Sequence, residues 1–433
     1  MKNQLIFYFM ITFFCSCSSN EIIQIEDEPI SEETKPNILL IIADDLGKDA
    51  LNGFTEGIIK PNTPNIDAIR TNGVSFTNFW TNPTCTPTRA SIITGKYGYR
   101  TGVKAVGDVL SLSETTLHSF LKTETNNAYA TALVGKWHLS GNDNSVNPEN
   151  YGIDYYAGYI RGTLSDYYQW QLNESGAISQ NSSYNSEVYT DLSINWINNQ
   201  TKPWFLWLAY NAPHTPFHVP PSNMHNQGNL SAYTNGSDPM PYYMAAIEAM
   251  DFQIGKLLSS IPQEVKNNTV IIFIGDNGTP NQVSQSPYNT NRVKGTLYQG
   301  GINMPLFVSG KNITKIGTDA SLICSTDLFA TITAIAGGTK SEINDSKSFL
   351  PILKNNSTTV REFQYSEINN GSFDEWTISD GIYKLIVDAN GNEEMYNLTT
   401  DPYETNNLVT QNLTATETIA KNKLESELQN IRK

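Results

Sequence analysis

Residues 37–45 read NILLIIADD, a continuous apolar run closed by two carboxylates. Such a segment leaves no face for water. It belongs inside a sheet covered on both sides, with its polar residues at the carboxyl end, which is the position of a central parallel strand. The same grammar returns in ATALVGKWH (130–138), PWFLWLAYNAPH (203–214), TVIIFIGDNG (269–278) and MPLFVSG (304–310). Helical segments lie between them: TPNIDAIRTNG with Thr63 as cap, Pro64 in the first turn and Gly73 after the end, SETTLHSFL from 113, YNSEVYTDLSINWIN from 184, YYMAAIEAMDFQIGKLLSSI from 242 and STDLFATITAIAG from 325. Strands alternating with helices predict an α/β fold with a large, mostly parallel central sheet flanked by helices.

After about residue 345 the texture changes. REFQYSEI, EWTISDGIYKLIVD and ANGNEEMYNL read as short antiparallel strands, and ATETIAKNKLESELQNI as a terminal helix. At 433 residues the chain exceeds one hydrophobic core. The expected division is an α/β domain over 36–345 and a small C-terminal antiparallel sheet-plus-helix subdomain over 346–433. Residues 1–16 carry Lys2 and the apolar stretch LIFYFMITFF, too short to span a bilayer, and read as a signal peptide. Ser16 before Cys17 resembles a bacterial lipoprotein cleavage site, although Phe14 and Cys15 depart from the usual residues. Cys17 would then be lipidated, residues 17–35 would form an acidic tether, and the protein would be exported and lipid-anchored in a bacterial membrane, facing the periplasm or the cell surface. A soluble periplasmic product is the alternative. Only Cys85 and Cys324 would remain as thiols, too few for a disulfide framework. The net charge of −15 excludes a nucleic-acid partner, which calls for a basic face.

In open α/β sheets functional groups gather at the carboxyl ends of the strands. Asp44 and Asp45, Lys136 and His138, His214, and Asp276 and Asn277 are therefore expected to meet. Asp44, Asp45, Asp276 and Asn277 offer hard oxygen ligands that suit Ca²⁺ or Mg²⁺ and lean toward Ca²⁺. Taken alone, an Asp pair at a strand end is as often a loop or capping feature. Cys85, Thr86, Pro87, Thr88 and Arg89 open a further helical segment, where the helix dipole and Arg89 would both stabilise an anion at Cys85. By itself a lone cysteine is more often a small buried apolar residue.

CTPTR, followed by ASIITG, resembles the C-x-P-x-R signature of the type I sulfatases of the alkaline phosphatase-like superfamily, and MYNLTTDPYETNNL resembles a recurrent segment of their C-terminal subdomain. The resemblance implies that a maturation enzyme oxidises Cys85 to formylglycine, whose hydrated aldehyde is the nucleophile. It implies that Asp44, Asp45, Cys85, Asp276 and Asn277 bind the divalent cation and that Arg89, Lys136, His138, His214 and Lys294 are catalytic. Arg89 would hold the aldehyde hydrate and the carboxylates. Lys136 and His138 stand two apart on one side of an extended segment; Lys136 would contact nucleophile and sulfate, and His138 would hydrogen-bond the formylglycine and serve as base for the second step. His214 and Lys294 would sit beside sulfate and the leaving alcohol.

A sulfatase acting on a sulfated polysaccharide or oligosaccharide is the first expectation. A phosphate or phosphonate monoester hydrolase on the same scaffold, or an inactive glycan-binding lipoprotein, are the alternatives. Gln299 replaces a frequent glutamate, and Lys48 and Asp49 replace a frequent tyrosine and glycine after DDLG. Tyr167, Tyr168, Trp170 and Trp376 are read chiefly as packing residues. Arg100, Lys104, Arg161, His218 and Arg292 are minor candidates for meeting a polyanionic sugar.

Overall fold

The computed structural model describes residues 35–356, 359–369, 371 and 373–433, together with residues 1 and 10. Cys17 and the expected tether up to Thr34 lie outside the described residues, as does the signal segment apart from residues 1 and 10.

The five apolar runs become strands of one ten-stranded sheet. Its members are β1 (Asn37–Ala43), β2 (Gly73–Trp80), β3 (Ala130–Gly135), β4 (Tyr155–Gly158), β5 (Trp170–Glu174), β6 (Ala177–Asn181), β7 (Trp204–Ala209), β8 (Thr269–Gly275), β9 (Asn303–Gly310) and β10 (Gly317–Cys324), in the order β10-β2-β9-β8-β1-β7-β3-β4-β5-β6. β1 lies between β7 and β8 in parallel register, with Ile41 opposite both Leu208 and Phe273. Ile38, Leu40 and Ile42 enter one apolar core while Leu39, Ile41 and Ala43 enter another, so both faces of β1 are dry. Each such isoleucine or leucine side chain contributes about 1.5–3 kcal/mol by leaving water.

MPLFVSG forms β9, which runs antiparallel to β8 and β2. An apolar run reports two-sided burial, and its direction is invisible in the sequence. β2, GVSFTNFW, carries Ser75, Thr77 and Asn78 and so has no continuous run to betray it.

The helix Pro64–Thr71 forms as expected, but Thr63 makes no side-chain cap bond and the cap at its end is Asn72. The Asp251 carboxylate, from the helix Met240–Ser260, accepts the Asn65 and Ile66 N–H groups at 3.1 and 2.7 Å. Gly73 opens β2, where a Cβ would meet Val308 O at 2.0 Å.

Strands Gln364–Asn369, Asp374–Ser379, Tyr383–Asp388 and Glu393–Asn397 form a separate antiparallel sheet, and the helix Ala415–Ile431 packs on it through Leu424 and Leu428. Thr414 and Glu417 close a capping box at that helix's start.

Lys48 and Asp49 are both buried. The Lys48 ammonium donates to Thr77 O (2.6 Å) and Asn303 Oδ1 (2.7 Å), and Asn303 donates in turn to Gln299 Oε1 (2.7 Å). The substitutions at 48 and 299 thus belong to one hydrogen-bonded chain. Burial pulls the Lys48 ammonium down to about 7. Between pH 7 and 10.5 the unfolded chain holds a proton there that the folded chain lacks, so stability rises with pH across that window by up to about 4 kcal/mol from this group. Lys48→Met keeps the apolar stem and removes the titration. Denaturant melts at pH 7 and 10 are expected to show that the variant lacks this part of the wild-type increase.

Candidate active site

β8, β1, β7 and β3 are consecutive in the sheet, so their carboxyl ends bring Asp276–Asn277, Asp44–Asp45, His214 and Lys136–His138 to one edge. The Lys136 ammonium, fully buried, donates to Asp44 Oδ2. Asp45 Oδ1 accepts from Asn277 Nδ2 (2.8 Å), Asp45 Oδ2 accepts from Lys294 Nζ (2.5 Å), and His214 Nε2 lies 3.6 Å from Asp45 Oδ2. Asp45 N donates to Asp276 Oδ1 (3.1 Å) and Tyr243 OH donates to Asp45 O (2.7 Å). Burial pushes the Asp45 carboxyl up, but the charges of His214 and Lys294 and the hydrogen bonds from Lys294 and Asn277 outweigh it and hold it at about 2. Burial, reinforced by the Asp44 charge, pushes Asp276 up to about 7 against the pull of Arg89 and Lys136.

The helix Cys85–Thr94 starts at this edge, with every residue buried and Gly95 in the left-handed conformation at its end. Arg89 donates from Nη2 to Asp276 Oδ2 (2.9 Å) and from Nη1 to Lys136 O (2.9 Å). Cys85 Sγ lies 3.2 Å from His138 Nδ1. The expected stabilised thiolate is not what the surroundings favour: burial, with Asp44 and Asp276 nearby, pushes the Cys85 thiol up despite Lys136. Arg89 serves the carboxylates instead. The extended run also ends at Gly135, and His138 takes a left-handed backbone (φ 57), as does Asp45 (φ 68). Lys136 and His138 therefore diverge, one to Asp44 and the other to Cys85. A non-glycine residue held at positive φ costs about 1–2 kcal/mol, which the surrounding contacts must offset.

His138 is neutral: burial and the charges of Lys136 and Arg89 hold its imidazolium well below the ordinary range. His214 is pulled down to about 4, first by burial, with Lys136 and Lys294 adding to it against Asp45. Its Nδ1 donates to Thr215 O (2.7 Å), which fixes the tautomer and leaves the Nε2 lone pair toward Asp45.

All ten sequence-predicted residues, Asp44, Asp45, Cys85, Arg89, Lys136, His138, His214, Asp276, Asn277 and Lys294, fall in this one neighbourhood. Two of its buried oxygens, Asp44 Oδ1 and Asn277 Oδ1, have no hydrogen-bond partner among the described residues. Orphan oxygens among packed carboxylates fit a hard cation. Asp44, Asp45 and His214 each bring a donor atom within 4.8 Å of the others, so the candidate metal site reaches an imidazole absent from the expected ligand set.

Three further features escaped the sequence. Tyr167, expected in packing, is buried and donates to Asn211 O (2.9 Å) and His214 O (2.7 Å), bracing the His214 loop. Gly162 lies against His138, where a Cβ would stand 2.2 Å from the ring. The cleft in front of Asp45, ≈ 470 Å³, is walled by Thr215, Asn281, Gln282, Thr290 and Asn291 beside His214 and Lys294. The amide-rich text after DNG, NQVSQSPYNTNR, was the available signal. Among the minor candidates, Arg292 stacks on Tyr298 and donates to Glu404 O, Arg100 pairs with Asp345, and His218 stacks on Tyr167. Trp376 stacks on Arg432.

A cluster of carboxylates, lysines and histidines at the strand ends of a mostly parallel sheet, faced by a helix-opening cysteine, defines the alkaline phosphatase-like class of α/β site. Within that class the chain belongs to the sulfatase family, whose family model matches residues 36–338. The model described as N-sulphoglucosamine sulphohydrolase, C-terminal, matches residues 292–433. Arylsulfatase J of Mus musculus is 28% identical over 342 residues, which cover 73% of this chain and 55% of the mouse protein, so the chain spans little more than half of that relative's length. The crystal structure of Ps i-CgsB in complex with k-i-k-neocarrahexaose superposes with a TM-score of 0.76 at 24% identity, over 91% of this chain and 92% of that one. The structure of BT4656 in complex with its substrate D-Glucosamine-2-N, 6-O-disulfate superposes with a TM-score of 0.76 at 21% identity, over 92% and 98% of the two chains. These superpositions show a shared fold.

Proposed function

We propose that the protein hydrolyses sulfate monoesters of a carbohydrate, with an oxygen nucleophile formed at residue 85 once Cys85 has become formylglycine. The observation that carries the reading is His138 Nδ1 facing Cys85 Sγ at 3.2 Å beside a cluster that balances three carboxylates against three cations. Sγ stands in for a hydroxyl oxygen of the matured residue. The glucosamine disulfate named as the substrate of BT4656 and the neocarrahexaose bound to Ps i-CgsB support a saccharide substrate.

Asp44, Asp45, Asp276 and Asn277, with residue 85, would hold a divalent cation, Ca²⁺ or else Mg²⁺, which would supply positive charge for a sulfate oxygen and the nucleophile. The hydrated formylglycine would supply one hydroxyl that displaces the alcohol from sulfur and a second whose deprotonation returns the aldehyde and frees sulfate. The remaining work falls to side chains. His138, neutral at Nδ1, takes the proton of the second hydroxyl. Lys136 and Arg89 fix Asp44 and Asp276 in place. Lys294 stays protonated, held so by Asp45 against its burial, and faces the cleft where the ester oxygen gains charge. His214 lines the same cleft.

The test is sulfate release from aryl sulfate and from defined sulfated saccharides, using protein coexpressed with the maturation enzyme and checked for formylglycine by mass. Sulfate release well above phosphate release from the matched aryl phosphate is expected, and the reverse order overturns the reading. Gly162→Ala gives a second check, because its methyl must push the His138 ring away. It is expected to lower kcat about 10²-fold, the cost of an ångström-scale misplacement, with little change in Tm.

A further inference from the structure

The cleft in front of Asp45 is a pocket of ordinary ligand size, ≈ 470 Å³, and its wall chemistry is one-sided. Asn281, Gln282 and Asn291 are exposed, and their side chains make no hydrogen bond to other described residues, so their amides are free for a ligand. They offer paired donors and acceptors without charge, which is the complement of sugar hydroxyls. Among the described lining residues the one lysine or arginine is Lys294, and its ammonium is already engaged by Asp45.

Asn291 also lines a second cleft of ≈ 250 Å³ that runs from Gly295 onto the C-terminal sheet. Glu375, Asp388 and Glu394 line that cleft, and among the described residues no lysine, arginine or histidine does. The Glu394 carboxylate accepts from Tyr298 OH at 2.8 Å, and the Asp388 carboxylate from Asn392 N at 2.8 Å, so both are fixed in place. Burial and the charges of Asp388 and Glu394 push the Glu375 carboxyl up, a sign of how closely the three acids crowd. Of the neighbouring cations, Arg292 is committed to the Tyr298 ring and to Glu404 O, and the buried Lys384 to Leu297 O and the Glu404 carboxylate.

We infer that the preferred substrate is a singly sulfated, otherwise neutral saccharide, whose hydroxyls meet the amide wall of Asn281, Gln282 and Asn291 and whose neighbouring residue lies over the Glu375–Asp388–Glu394 wall. A second sulfate or a uronate on that neighbouring residue is repelled. The inference rests on the sulfatase reading above and refines it.

The experiment compares the mature enzyme on three disaccharides that share one scissile ester: neutral elsewhere, carrying a second sulfate on the neighbouring residue, or carrying a uronate there. The neutral compound is expected to have the highest kcat/KM, by about tenfold or more. The gap should narrow as salt rises from 0.05 to roughly 0.5 M, because screening shortens the reach of the acids. Glu375→Lys should raise the ratio of kcat/KM on the disulfated compound to that on the neutral one at least about threefold. Release from all three with no preference, or a preference for the polyanions, overturns this inference and leaves the sulfatase reading standing. No release from these compounds or from aryl sulfate, with formylglycine verified, overturns the sulfatase reading itself.

Discussion

Cys85→Ala is expected to abolish sulfate release while leaving the fold intact. Loss of a covalent nucleophile costs about 10⁴- to 10⁶-fold in kcat where the rest of the site survives. Cys85 is buried at the first turn of the helix Cys85–Thr94, with its thiol facing His138 Nδ1, so a methyl fills most of the thiol's space and Tm should move by no more than a few degrees. Cys85→Ser is the sharper variant. A serine keeps an oxygen in place but supplies only one hydroxyl, so it can be sulfated by substrate and cannot expel the product through an aldehyde. A burst of alcohol release followed by arrest is therefore expected from Cys85→Ser, and no burst from Cys85→Ala. Steady turnover by Cys85→Ser at the wild-type rate would refute the two-hydroxyl scheme. Wild-type protein expressed without the maturation enzyme should behave as an inactive thiol, since burial and the neighbouring carboxylates disfavour a thiolate there.

How much of this could be read beforehand depended on the kind of signal. β1, β3, β7 and β8 were legible because burial on both faces leaves these runs almost wholly apolar, and the ionisable residues that follow each run belong to the site. Sheet adjacency turned those four endings into one cluster. The direction of β9 and the existence of β2, β4, β5, β6 and β10 were not legible, because partner and polarity are set by tertiary pairing and these strands lack a strong period. The geometry within the cluster was legible only in part. Arg89 was expected to hold both the aldehyde hydrate and the carboxylates, and the guanidinium reaches Asp276, while its bond to the Lys136 carbonyl left no mark in the sequence. The left-handed turn at His138 leaves no mark in GKWHL, yet it is what separates Lys136 from His138. Gly162 and Asn291 act by position alone, so their importance emerges only once His138 and the cleft are placed.

The second large effect is expected at Asp44. Without a bound cation the three acids Asp44, Asp45 and Asp276 face three bases, Lys136, Lys294 and Arg89, and the cluster is close to neutral. A dication would make it net positive, as a site for an anionic ester requires. Asp44→Asn removes one ligand charge and leaves the fully buried Lys136 without its counter-ion, which costs about 3–5 kcal/mol when one partner of a buried pair is lost. Activity should fall about 10³-fold or more, the scale of losing a major electrostatic contribution to transition-state stabilisation. Stability and cation binding can be separated with a second variant. In wild type, Ca²⁺ or Mg²⁺ at 100 times its Kd adds about 2.7 kcal/mol to stability, read as a rise in Tm over the chelator-treated protein. Lys136→Met keeps the Asp44 carboxylate and removes its competitor, so its cation-induced rise in Tm should match or exceed that of wild type while turnover is lost. Asp44→Asn should show a much smaller rise, and Asp44→Asn combined with Lys136→Met should regain most of the lost stability without regaining the response to cation. If Asp44→Asn keeps the full wild-type response, the cation is held elsewhere, and the orphan oxygens of Asp44 and Asn277 need another explanation.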